Sequence, residues 1–135
     1  VSALHRVLGF AVVAIFALGW IWGLGAKIAR RQPGDAFWTW LSVAQVTAGA
    51  QALLGTILLL MGRRLEAEGV FGGTLHYIYG YLPLLLFVFA HVVAREGTAR
   101  AIGIDRPIQR WVPFAWVSFI SFGLTLRALM TGLGL

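Results

Sequence analysis

The chain has 135 residues, of which 59% are hydrophobic and 12% charged, with a formal net charge of +6 and a mean hydropathy of +0.83. Soluble domains carry about 25% charged residues, so a water-soluble fold is excluded, and the absence of cysteine excludes disulfides, thiolate metal ligands and iron–sulfur clusters. The basic residues flank apolar runs, which ties the charge to lipid headgroups and topology and makes nucleic acid an unexpected partner.

Four apolar runs follow one another, each long enough for the roughly 20 residues that cross ~30 Å of hydrocarbon. The first spans residues 4–28; it is too long for a signal-peptide core and is predicted to stay as a helix. The second spans 37–61, after a polar connection containing Arg30, Arg31, Pro33, Gly34 and Asp35. The third spans 73–94 and carries Pro83 in its interior, where a missing N–H predicts a bend. The fourth spans 111–133, with Pro113 placed where a first helical turn tolerates it. Connections this short force consecutive helices to lie antiparallel and adjacent. The expected fold is all-α: a single integral membrane four-helix up-down bundle over residues 1–135, its partner the lipid bilayer.

Lys and Arg counts orient it. Lys27, Arg30, Arg31, Arg95, Arg100, Arg106 and Arg110 lie on the side of the first and third loops, against Arg6, Arg63, Arg64 and Arg127 on the other. Seven against four puts the first and third loops in the cytoplasm and both termini on the outer side of the cell's inner (plasma) membrane. Trp20, Trp22, Trp38, Trp40 and Trp111 gather towards the cytoplasmic side as an aromatic belt would, and Tyr77, Tyr79 and Tyr81 towards the outer side.

The most informative feature is an internal echo. Leu4-His5-Arg6-Val7-Leu8-Gly9-Phe10 is answered by Leu75-His76-Tyr77-Ile78-Tyr79-Gly80-Tyr81, both reading Leu-His-x-β-branched-x-Gly-aromatic. Trp40-Leu41-Ser42 and Trp116-Val117-Ser118 echo more weakly in the second helix of each half. The pattern points to two repeated helical hairpins. Spans one and three then run parallel, which sets His5 and His76 at one depth across the bundle. Two facing imidazoles at matched depth are what a single bis-histidine haem b requires of its axial, iron-binding ligands. Gly9 and Gly80 each lie one turn beyond their histidine and offer side-chain-free contact to a porphyrin. Arg6, beside a proposed ligand, and Arg127, within span four, are expected partners of the haem propionates, because an intramembrane arginine needs a partner. A lone terminal histidine is more often interfacial and a membrane glycine more often a packing contact; the matched pairs shift the balance towards haem.

His91 lies 15 residues after His76, about 22 Å along the axis at 1.5 Å per residue. No second histidine stands at its depth, so an interhelical hydrogen bond is favoured over a single ligand to haem or to a chlorophyll magnesium. Gln45, Thr47, Gln51 and Thr56 give span two polar character, either lining a quinone pocket or, more commonly, joining helices. All five acidic residues are expected in loops. With no carboxylate in a span, a transporter or proton relay is disfavoured.

The paired hairpins, His5-Arg6 and the Gln51-Ala52-Leu53-Leu54-Gly55 stretch resemble half of a haem A synthase and, more broadly, small four-helix membrane cytochromes of the b type. That resemblance implies haem held between helices and electrons passed to or from quinones or partner subunits. Haem A synthases have eight helices, a second haem-sized site and a glutamate without counterpart here, which restricts what carries over to haem b binding. The leading expectation is a haem b-binding electron-transfer subunit, with haem between helices one and three near the outer face, working beside other membrane subunits. No catalytic group is identified, so an electron carrier is favoured over a self-standing enzyme. The alternative is a cofactor-free accessory subunit of a respiratory or photosynthetic membrane complex.

Overall fold

A computed structural model of the chain describes residues 1–65 and 73–135. Glu66 and Glu68, expected in the middle loop, lie outside them. Four long helices make up most of the rest: α1 (Ser2–Ile28), α2 (Asp35–Leu60), α3 (Thr74–Glu96) and α4 (Val112–Gly132). All four are long and apolar enough to cross a membrane, which fits a multi-pass membrane protein. Two acidic residues expected in loops prove to be terminal helical residues: Asp35 opens α2, at the favourable positive end of its dipole, and Glu96 closes α3.

The helix ends follow local chemistry. Pro113 sits in the first turn of α4, where its missing N–H is one of the groups a helix leaves unbonded anyway. α3 ends at Gly97, whose φ of 75° is open to glycine at little cost. The helix runs through Pro83, which is fully buried. A short connection, with a 3₁₀ turn at Arg100–Ile102, joins α3 to α4. Within it Ala99 and Ile104 form a β-bridge, and Arg100 meets Asp105 at 3.2 Å on the surface.

α4 packs closely against both α3 and α1, and α1 also packs on α2; α2 and α3 meet sparsely. The packed core occupies one half of the bundle's length. Phe16 from α1, Phe37 and Trp40 from α2, Phe87 from α3 and Trp111 with Phe114 at the start of α4 are all buried there. Phe16 and Phe87 stack with ring centres 5.6 Å apart, and Phe37 contacts Trp22, Trp38 and Trp40. Trp40 and Trp111 are therefore core residues, not members of an interfacial belt. Glycine permits the closeness: a β-carbon at Gly19 would overlap the Trp40 indole, and one at Gly23 would lie 2.6 Å from the Ala115 β-carbon. Large apolar side chains such as Val46, Leu53, Leu85 and Trp116 point outward, as lipid rather than water permits.

The loose α2–α3 seam is joined by polar side chains. His91 Nε2 lies 2.8 Å from Gln45 Oε1, and Thr56 bonds Tyr81. His91 thus makes the interhelical bond favoured by the sequence. Thr47, Ser118 and Thr125 instead return their hydroxyls to the carbonyl one turn earlier on their own helix, a low-cost way to satisfy a hydroxyl in hydrocarbon.

Candidate functional site

The other half of the bundle encloses a cavity of about 260 Å³ rather than a packed core. Its walls are built from small residues at helical spacing: Gly9 on α1, Ala48, Ala52 and Gly55 on α2, Gly80 on α3, and Ala128 and Gly132 on α4. No neighbouring atom lies within 4 Å of where a Gly80 β-carbon would be, so this glycine leaves the wall open. Gly9 is closer-packed, with Gln51 Nε2 3.3 Å from the position of its missing β-carbon.

His5 and His76 meet in this cavity. Their ring centres lie 6.0 Å apart with the planes inclined by 68°. Two imidazoles on opposite sides of one metal ion, at about 2 Å per bond, place their ring centres about 6 Å apart. The observed spacing matches that of a shared ion and equally that of an edge-to-face ring contact.

Each ring is seated on the neighbouring helix in a similar way. A β-carbon at Gly55 would lie 3.1 Å from His5 Cε1, and one at Gly132 would lie 3.4 Å from His76 Cε1. Each of these glycines therefore accommodates an imidazole. One turn before Gly132, the Ala128 carbonyl accepts a 2.8 Å hydrogen bond from His76 Nδ1. With its proton on Nδ1, this ring keeps the Nε2 lone pair free for a metal, the arrangement commonly found behind ligating histidines. On α1, by contrast, His5 Nδ1 is buried and forms no hydrogen bond. Gln51 Oε1, in the same wall, is also buried without a partner. Unpaired polar atoms lining a cavity are costly unless a ligand or water meets them.

The cavity mouth is cationic. Arg6, Arg63 and Arg64 all line it, and Arg63 Nη1 is steadied by a 2.6 Å bond to Ser2 Oγ. Arg127 does not join them; it is exposed and absent from the cavity lining. The structure thus brings together His5, His76, Gly9, Gly80 and Arg6, and leaves Arg127 outside. It adds Gly55 and Gly132, near the C-terminal ends of α2 and α4, which no pattern in the sequence marks out as histidine seats. It also adds Arg63 and Arg64, legible beforehand only as cations in the outer loop.

Among the described residues no group of three or more His, Cys, Asp or Glu side chains could hold a metal ion. A metal between the two imidazoles would need its remaining ligands from outside those side chains, which a macrocycle supplies. Comparison with known protein families, curated proteins and solved structures finds no match. The likeness to haem A synthases and b-type cytochromes rests on the residues quoted above.

Proposed function

We propose that the chain is a membrane electron-transfer subunit that holds one haem b between α1 and α3, with His5 and His76 as axial ligands. The 6.0 Å spacing of the two rings inside a small-residue cavity is the observation that carries this reading. In it, the helices form an up-down bundle of two repeated hairpins in the plasma membrane, with both termini and the haem towards the outer side.

The roles of the residues follow from their chemistry. His76 is held in one tautomer by the Ala128 carbonyl, so Nε2 is the nitrogen that would ligate iron. Gly55 and Gly132 keep the imidazoles close against α2 and α4, and Gly80 leaves space beside the His76 turn. Arg6, Arg63 and Arg64, which line the cavity, would supply positive charge to the two propionates. Bound haem iron supplies a one-electron ferric–ferrous couple, and the protein's part is to position it and set its potential.

The test is a reduced-minus-oxidised absorption spectrum of detergent-purified protein, repeated for His5→Ala and His76→Ala. The expected result is a Soret peak with a sharp α-band in the wild type that both substitutions abolish. A colourless wild type that takes up no added haem would overturn the proposal and leave a cofactor-free accessory subunit, with the two histidines acting as packing contacts.

A further inference from the structure

A second recess lies at the opposite end of the bundle, between the C-terminus of α1 and the approach to α4. It has a volume of about 700 Å³ and is lined by Lys27, Arg30, Arg31 and Arg106. Among the described residues the only ion pair is Arg100–Asp105, so none of these four cations is ion-paired there.

Three local features focus the recess on an anion. α4 begins with no side-chain cap and no acidic residue in its first turn, and Trp111 and Val112 at its start form part of the wall. The positive end of the α4 dipole is therefore unneutralised beside the cations. Gln109 Oε1 accepts a 2.8 Å bond from Trp111 Nε1, which leaves the Gln109 amide to present its N–H₂ donors. Finally, α1 closes with Arg31 N bonded to Ala26 O and Arg30 N bonded to Lys27 O, with Arg30 at φ 53°. Glycine ordinarily fills that left-handed position. Arg30, in that position, is among the residues lining the recess.

We propose that this recess binds the phosphate of an anionic phospholipid headgroup. The source is lipid rather than free phosphate because the recess opens where apolar spans end. Ile108 and Trp111 contribute apolar wall, and Ile28, next to Lys27, is exposed for contact with acyl chains. Basic pockets between membrane helices are suited to such headgroups. The site is independent of the haem reading, since it shares no residue with the histidine cavity.

Full-length delipidated protein in detergent would be titrated with short-chain phosphatidylglycerol, short-chain phosphatidylcholine or inorganic phosphate, with the melting temperature as readout. The expected result is a saturable upward shift with phosphatidylglycerol only. Each cation near a lipid surface contributes roughly fivefold in affinity, so Arg30→Gln with Arg106→Gln should weaken binding roughly 30-fold. The corresponding Lys pair should restore most of it. Arg95→Gln with Arg110→Gln removes two charges outside the recess lining and should change affinity less than about threefold. If the Arg30 variant fails to fold, Arg106→Gln alone, in the connection, should show the single fivefold step. Equal losses in the two double variants would mean diffuse surface attraction and overturn the site. An equal shift with inorganic phosphate would overturn the lipid assignment.

Discussion

The two halves of the bundle are made from the same four helices but solve opposite packing problems. Around Phe16, Phe37, Trp40, Phe87 and Phe114 the helices close on a filled aromatic core. Around His5 and His76 they are faced with glycine and alanine and enclose space. Glycine serves both halves with opposite consequences. Gly19 makes room for a neighbour's indole, whereas Gly80 makes room that no protein atom fills. Membrane helices gain little from hydrophobic attraction to one another, so packing contacts decide where they close.

The largest expected effect comes from filling the histidine seats. Gly55→Leu or Gly132→Leu pushes a side chain into an imidazole that now rests 3.1 or 3.4 Å from the missing β-carbon. Haem uptake, read from the Soret band, is expected to fall more than tenfold while circular dichroism shows unchanged helix content. Retained uptake would mean that the rings need not sit where they do.

Next, one substitution made in both halves should give opposite signs. Gly19→Ala forces the buried Trp40 indole aside and should destabilise the haem-free protein by about 1–3 kcal/mol, as overpacking does. Gly80→Ala meets nothing within 4 Å and should be neutral or stabilise by up to about 1 kcal/mol through helix propensity. Denaturant unfolding in mixed micelles would check both, and equal destabilisation would dissolve the contrast between the halves.

The smallest effect is expected at the seam. His91→Leu removes the bond to Gln45, and interhelical hydrogen bonds in membrane proteins contribute about 0.6 kcal/mol on average. The same unfolding assay should register a loss of about that size with the haem spectrum intact. Loss of the spectrum would make His91 a ligand and require a different reading of the site.

The four apolar spans were legible in the sequence because crossing a bilayer demands only a local run of apolar residues, whatever they later touch. The polar bond at His91 was legible for a similar reason: at its depth no other histidine could pair with it. Matched depth for His5 and His76 likewise followed from the echo between spans one and three, since parallel helices carry equal positions to equal heights. The rotation of each helix about its own axis was not legible. In water one face is polar and announces which side points inward, but in lipid both faces are apolar and the sequence gives little direction. Rotation decided that Trp40 and Trp111 face the core, that Arg127 points away from the cavity while Arg63 and Arg64 reach its mouth, and that Gly55 and Gly132 lie under the imidazoles. Those outcomes depend on contacts between residues far apart in the chain, and only the packed tertiary structure could determine them.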